Sequence, residues 1–416
     1  MRIQFFGDLA ATGFGTVTMD LGRELLNIGH DIRFVSQNDL ADLPEPFDSR
    51  TFRVTAEMAD PDRAEAVGLN SMSLLGKGII GLLDGSIWED GWKPEAAIML
   101  GDFWGVSDFV LSSPEMTAAF RSIPTFHYVP IEGIDLPPAW KRLWDVIHPV
   151  AMSAFGAEQI RLVMGERPPF VYHGVDTETF RPVSPEQPLY MGEAKLRTKA
   201  ECKRWFGANP KARWVLRTDR YMPRKRYASL LRAMAPVMAQ RPDVFLVLHC
   251  RSVDEGGHLH DQISKMHPAI QKRVVSTGFH DNGQFAPREV LTALYNAADV
   301  YASPSAEGFG LTIAEAMACG TPAVGMDYSS VTEVIGSGGL LAPVNHLVDN
   351  EYDHAWAAVN EQVFSEQVAT LLDDGPLRAR LGRQARSHVV DSFSWAQAAL
   401  QFSTIIRERT AVEVAA

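Results

Sequence analysis

Two glutamates eight positions apart, Glu307 and Glu315, bracket a run that turns from loop into helix: Glu307-Gly308-Phe309-Gly310-Leu311-Thr312-Ile313-Ala314-Glu315. Gly308 and Gly310 let the backbone come close to a ligand, while Leu311 to Ala318 consists of helix formers and stops at Gly320 and Pro322. The first amides of such a helix have no intrahelical acceptor and lie at the positive end of its dipole, so a phosphate resting on Gly310, Leu311 and Thr312 is stabilised. Glu307 then sits beside whatever the phosphate carries, and Glu315, about one turn into the helix, can accept hydrogen bonds from vicinal hydroxyls. A sugar, a diphosphate and a ribose diol in series would fit that order of groups.

Such residues need a rigid frame, and the chain supplies one by alternating short apolar runs with helical patterns, the signature of parallel sheets with crossover helices. Strands are expected at Met1 to Phe6, Ile32 to Ser36, Ala97 to Leu100, Pro124 to Tyr128 and Val150 to Ser153, with a helix over Asp20 to Ile28. The second half repeats the plan at Trp214 to Arg217, Val244 to Leu248, Val274 to Ser276, Val300 to Ala302 and Ala323 to Gly325. Gly165 to Pro182, rich in proline, reads as the passage between two domains. Near the start of the second half, Arg213, Arg217, Arg220, Arg224, Lys225 and Arg226 crowd together. This run reads either as a solvated charged face or as cations aimed at a diphosphate.

Further elements carry a resemblance. The two glutamates resemble the E-x7-E signature of retaining glycosyltransferases of the GT-B fold, the family-4 group that uses nucleotide-diphosphate sugars. Asp219-Arg220-Tyr221-Met222-Pro223-Arg224-Lys225 resembles the family's G-R-x-x-x-x-K, with Asp219 in place of the glycine and Arg220 and Lys225 at the basic positions. His173-Gly174-Val175-Asp176 through Phe180 and Pro182 is similar to an N-G-V-D-x-x-x-F-x-P linker, with His for Asn. Thr277-Gly278-Phe279-His280 resembles a turn near the nucleotide base, and Phe393-Ser394-Trp395 a family F-S-W. The likeness is strong over about residues 150 to 340 and thin over residues 40 to 120.

What the resemblance implies is an α/β GT-B fold: two doubly wound Rossmann-like domains facing a central cleft. Residues 1–170 would form an acceptor-side domain, residues 171–390 a donor domain, and residues 391–416 a helix packing back on the first. Arg220 and Lys225 would hold the diphosphate and stabilise its departure. Glu307 would bind the sugar hydroxyls, Glu315 the ribose, His280 the base side, and Gly308, Phe309, Gly310, Leu311 and Thr312 the phosphate or sugar. The family carries a His near position 127, usually followed by Asp where this chain has Tyr128; by that likeness His127 contacts the donor sugar. Otherwise it is a satisfied core residue. Gly13 and Gly15, after the first strand, are either a loop over the donor phosphates or an ordinary tight turn.

The implied activity is retaining transfer of a sugar from a nucleotide-diphosphate sugar, UDP- or GDP-linked, to a hydroxyl acceptor, with no metal or other cofactor. The acceptor stays open among a glycan, a lipid, a small molecule, a protein and a modified nucleic-acid base. An epimerase or hydrolase of the same fold, and a noncatalytic binding module, are the alternatives. A net charge of −12 opposes nonspecific binding to nucleic acid. Cys202, Cys250 and Cys319, three and far apart, indicate neither a disulfide framework nor a zinc site, and His258, His260 and His267 lack matching ligands. No apolar stretch is long enough to span a bilayer, and the expected location is the cytoplasm or a membrane periphery. Trp88, Trp92, Trp104, Trp140 and Trp144 fall close together and read either as core or as an acceptor cleft whose rings stack on sugars or bases, with Trp88/Trp92 and Trp140/Trp144 each sharing a helix face. The polar stretch Asn345 to His354 has no assigned role.

Overall fold

The computed structural model describes residues 1–10, 12–36, 43–53, 76–86, 88, 90–279, 286–350 and 354–415. His280 and the middle of the Asn345 to His354 stretch lie outside the described residues. The chain divides into two compact units. One holds Met1–Ile131, Asp135–Gly174 and Trp395–Ala416, and the other Glu132–Ile134 and Val175–Ser394.

The first unit is built on a six-stranded sheet, β1 (Arg2–Phe6), β2 (Asp31–Ser36), β3 (Thr51–Arg53), β4 (Ala96–Leu100), β5 (Thr125–Val129) and β6 (His148–Ala151). Their spatial order is β3-β2-β1-β4-β5-β6, and every pairing is parallel. β4 and β5 are buried along their whole length. Helices on both faces require that, so these strands read in sequence as apolar runs rather than as alternation. Helix α1 (Gly13–Asn27) follows β1 and packs against the long terminal helix (Trp395–Ala415). His30 Nε2 and Ser403 Oγ meet at 2.7 Å between them.

The second unit repeats the topology with β7 (Arg213–Thr218), β8 (Val244–His249), β9 (Val274–Ser276), β10 (Val300–Ser303), β11 (Ala323–Met326) and β12 (Gly339–Ala342). These lie in the order β9-β8-β7-β10-β11-β12, again all parallel. Helices α2 (Tyr227–Gln240), α3 (Arg288–Ala297) and α4 (Leu311–Ala318) are among its crossovers. The fold is thus two Rossmann-like α/β domains, each with the doubly wound strand order. Each expected strand is present within a residue or two. The edge strands β3 and β12 are not expected from the sequence.

Several local expectations are corrected. α1 begins at Gly13 rather than Asp20, because Thr12 caps it. Trp88 and Trp92 lie in a turn, not on one helix face. Their rings meet edge-on at 5.6 Å, and the Arg33 guanidinium lies over both. Trp140 stacks on Phe103 at 3.9 Å and Trp144 meets it edge-on, so these rings belong to the core. All three cysteines are buried and none is joined in a disulfide. Among the described residues no helix is long and apolar enough to cross a membrane, and no cluster of His, Cys, Asp or Glu is placed to hold a metal ion.

Candidate functional site

The carboxyl ends of β7 and β10 bring together the residues that the sequence separates by more than eighty positions. β10 runs out through Ser305 to Glu307, whose backbone is pinned by two serines: Glu307 N–H donates to Ser329 Oγ (3.0 Å), and Ser330 Oγ donates to the carbonyls of Glu307 and Phe309 (2.7 Å each). β7 runs out through Asp219 to a short 3-10 turn, Pro223–Lys225, which brings Lys225 Nζ to within 2.6 Å of Glu307 Oε2. Both side chains are buried. Burial by itself pushes the Glu307 carboxyl up, but Lys225, Arg224 and Arg217 outweigh it and hold the group well below the usual carboxylate range. Glu307 is therefore a fixed, ionised acceptor.

The basic run is not an open cationic face. Arg213 pairs with Asp243 (2.6 Å) and Asp373 (3.0 Å). Arg217 pairs with Asp219 (2.8 Å), and Arg224 with Glu132 (3.1 Å), its NH1 lying 3.7 Å from Glu307. Arg220, with a side chain 58% exposed, is bound by Asp254 (3.0 Å) and Glu255 (2.7 Å). Of the two expected cations, then, Lys225 is joined to Glu307 and Arg220 is not. Arg217, Arg224, Asp219 and Glu132 are the site neighbours that sequence reasoning did not assign. A charged residue inside the apolar run Trp214 to Thr218 was the available signal for Arg217.

Glu132 reaches this cluster because the segment Glu132–Ile134 is held in the second unit. Ile134 and Ala355 exchange two backbone hydrogen bonds of 3.0 Å each. Ala355 begins the returning strand of the hairpin Val344–Asp349/Ala355–Val359. Ala355, the residue after the polar stretch without an assigned role, thus holds Ile134. Gly133 is needed there, since a Cβ at that position would lie 2.4 Å from the His354 ring.

Beyond Glu307 the chain turns through Gly310 at φ 104°, a left-handed conformation that favours glycine, and enters α4. Gly310 caps the helix with no side chain. Ile313 and Ala314 N–H both return to its carbonyl (3.0 and 3.1 Å), and no described residue accepts from Leu311 or Thr312 N–H. Two adjacent amides at a positive helix end suit an anion. Phe309 turns its ring away, edge-on to Phe393 at 5.2 Å. One turn on, Glu315 accepts from Tyr295 OH (2.7 Å), and a hydroxyl chain joins Tyr295, Thr218, Tyr301 and Thr312. Buried hydroxyls satisfied by one another fix the base of the helix.

The N-terminal candidates look different. In the first unit Thr12 Oγ1 accepts from Gly15 N–H (3.0 Å) and donates to Asp8 Oδ2 (2.7 Å), which closes the start of α1. Gly15 packs so tightly that a Cβ would lie 1.7 Å from the Ala10 carbonyl oxygen, whereas Gly13 has open space. His127 is wholly buried. Its Nε2–H donates to the Gly101 carbonyl (3.0 Å), its Nδ1 accepts from Trp144 Nε1 (3.3 Å), and burial lowers its pKa to about 4. The His173-Gly174 motif packs on Trp395: the two rings stack at 5.7 Å, and a Cβ at Gly174 would lie 2.1 Å from the Trp395 nitrogen.

With this geometry in hand, similarity to known proteins can be placed on it. Residues 212–374, which include Lys225, Glu307 and Glu315, match the family described as Glycosyl transferases group 1. A D-inositol 3-phosphate glycosyltransferase of Corynebacterium glutamicum is 38% identical over 128 residues, 30% of this chain and 28% of that protein. A GDP-mannose-dependent monoacylated alpha-(1-6)-phosphatidylinositol monomannoside mannosyltransferase of the same species is 26% identical over 257 residues, 59% of this chain and 58% of that protein. The chain thus spans less than two thirds of these relatives. In structure it is similar to a glycosyltransferase from Rickettsia africae (TM-score 0.69, 14% identity, 98% of each chain). It is also similar to Anabaena Alr3699/HepE in complex with UDP-glucose (TM-score 0.69, 16% identity, 98% of this chain and 100% of that one). The fold is therefore the pair of Rossmann-like domains that GT-B glycosyltransferases have, and the part of the chain that resembles group 1 glycosyl transferases in sequence is the part that carries the buried Lys225–Glu307 pair.

Proposed function

We propose that the protein is a retaining glycosyltransferase that moves a sugar from a nucleotide-diphosphate sugar to a hydroxyl acceptor. The observation that carries this reading is the buried Lys225–Glu307 pair beside the uncapped start of α4. A diphosphate seated on the amides of Leu311 and Thr312, next to Gly308, Phe309 and Gly310, would meet Lys225 at its leaving oxygen. Lys225, joined by Arg220 once that side chain leaves Asp254 and Glu255, offsets the charge that develops as the sugar–phosphate bond breaks, a role a metal plays elsewhere. Glu307 accepts from the sugar hydroxyls and Glu315 from the ribose. The departing phosphate takes the acceptor proton on the same face, so no protein nucleophile is assigned.

The remaining candidates stand at different distances from this scheme. His127 would touch the sugar only by giving up Gly101 or Trp144, and Gly15 would touch phosphate only by giving up Thr12. Gly13 is unobstructed, and His280 would lie toward the base. Names of similar proteins favour a UDP- or GDP-linked donor and an inositol-bearing acceptor: one relative is described as acting with GDP-mannose on a phosphatidylinositol mannoside, another as a D-inositol 3-phosphate glycosyltransferase.

The test is a thermal-shift panel of UDP, GDP, ADP and their sugar conjugates, with and without EDTA. Stabilisation by one diphosphate, unchanged by EDTA, is expected, since a ligand that binds only the native state raises its melting temperature. Product NMR with inositol phosphates as acceptors then reads the anomeric configuration. Inversion would overturn the retaining assignment, and donor breakdown without any acceptor would favour the hydrolase.

A further inference from the structure

The four charged side chains at the ends of β7 and β10 close on themselves. Glu307 Oε2 meets Lys225 Nζ at 2.6 Å, Lys225 Nζ meets Asp219 Oδ1 at 2.9 Å, Asp219 Oδ2 meets Arg217 NH2 at 2.8 Å, and Arg217 NH2 meets Glu307 Oε1 at 3.5 Å. Ser305 Oγ bridges the longest side, accepting from Arg217 at 2.7 Å and donating to Glu307 Oε1 at 2.8 Å. Signs alternate around this ring. Arg217 has no exposed surface, and its Nε and NH1 have no hydrogen-bond partner among the described residues. Its interactions are therefore made through one nitrogen, the one that serves Asp219, Ser305 and Glu307. The G-R-x-x-x-x-K pattern has a glycine where this chain has Asp219, so the pair Arg217–Asp219 is an addition to the site.

We propose that Arg217 is a positioning residue for Glu307, with Asp219 as its counter-ion, and that it keeps Glu307 ionised and oriented while Lys225 is drawn to an incoming phosphate. This rests on the glycosyltransferase reading. Lys225 has two jobs in that reading and one ammonium group. When a diphosphate recruits it, Glu307 loses its shortest ion pair inside a buried pocket, where an unpaired carboxylate takes up a proton. Protonated, it turns one acceptor oxygen into a donor and loses the charge that strengthens its bonds to the sugar hydroxyls. Arg217 is immobile and out of reach of ligand, so it stays with Glu307 throughout. Asp219 matters because a buried guanidinium without a counter-charge is costly, and it leaves the ring neutral.

The charged groups facing Glu307 are Lys225 and Arg224 from the turn after β7 and Arg217 from β7 itself, with Asp219 and Glu132 behind them. Arg224 is engaged by Glu132 and only 3.7 Å from Glu307, so it is the weaker substitute. Removing Arg217 and Asp219 together changes no net charge, which separates positioning from simple electrostatics.

The experiment compares wild type with R217M/D219N, and with R217K as the conservative variant. The acid limb of the pH profile of donor turnover is expected to move up by about one pH unit in the double variant. Affinity for UDP or GDP by calorimetry at neutral pH should stay within about threefold in R217K, which leaves Asp219 beside Lys225, because Arg217 reaches no ligand. R217K should recover part of the shift. A folded double variant with the wild-type acid limb would overturn the proposal, as would loss of nucleotide affinity in R217K in parallel with turnover. If wild type binds no nucleoside diphosphate, the glycosyltransferase reading falls. The ring is then read directly by carbon NMR titration of glutamate-labelled protein, with the Glu307 signal assigned through E307Q. An upward shift of that titration in R217M/D219N supports the ring, and an unchanged one overturns it.

Discussion

Two strand-loop-helix junctions of this chain have the same topology and different capping. After β1, the start of α1 carries a side-chain cap: Thr12 satisfies Gly15 N–H, and Asp8 satisfies Thr12 and the Ala10 amide, while Gly13 and Phe14 N–H have no acceptor among the described residues. After β10, α4 starts at a glycine with no side-chain cap, and Leu311 and Thr312 N–H have no acceptor among the described residues. The neighbouring titratable groups follow suit. In the first unit His127 is held neutral with both ring nitrogens engaged, whereas in the second Glu307 is held ionised among cations. A doubly wound sheet offers such a junction at every crossover. What sets the second junction apart is that its uncapped amides follow directly on the buried Lys225–Glu307 pair.

The comparison can be broken most forcefully at Lys225. Lys225→Ala and Glu307→Ala are each expected to lower turnover by about 10²–10³, as loss of a group aimed at developing charge does, while circular dichroism stays native. Wild-type rates in both variants would remove the second junction from the active site.

A pH experiment addresses the contrast between neutral and ionised groups. His127 is depressed to about 4, His173 to about 3 and His30 to about 4, in each case chiefly by burial, and all three lie in the first unit. The unfolded chain takes up these protons near pH 6.5 and the native one does not, so their stabilisation is complete above that pH. It is lost as pH falls toward 4. For the fully buried His127 the loss is roughly 1–3 kcal/mol. Urea denaturation at pH 7.5, 5.5 and 4.5 measures it, and His127→Asn should flatten the curve.

Gly310→Ala tests the turn into α4. Its φ of 104° and a Cβ placed 3.2 Å from Ile313 Cδ1 make the substitution cost about 1–2 kcal/mol and weaken nucleotide binding together. Denaturant midpoints and calorimetry read both. The smallest effect is expected at the other junction, where Thr12→Ala removes a cap worth about 1 kcal/mol and leaves nucleotide affinity unchanged. A changed affinity there would return Gly13 and Gly15 to the donor site.

Legibility in the sequence followed distance along the chain. The central strands, buried on both faces, announce themselves as apolar runs, and the loop-helix turn at Glu307 to Glu315 is spelled out by nearby residues: glycine, helix formers and the terminating Gly320 and Pro322. Arg217 showed only as a charge inside an apolar run and Asp219 not at all, because their meaning depends on Glu307, some ninety residues away in sequence but 3.5 Å from Arg217 in space. Arg220 shows the converse. Its place in a basic pattern suggested a partner of Lys225, yet Asp254 and Glu255 on the neighbouring hairpin hold it.

The sequence alone therefore determined what local physics controls: where strands and helices form, which helix starts beneath a glycine loop, and which residue types could hold an anion. Tertiary structure decided the rest. Which cation serves which carboxylate, whether His127 has a nitrogen to spare, and which carboxylates hold Arg220 all depend on the groups that folding brings within about 3 Å. In a buried site of low dielectric those distances set the charge and hydrogen-bonding state of every group.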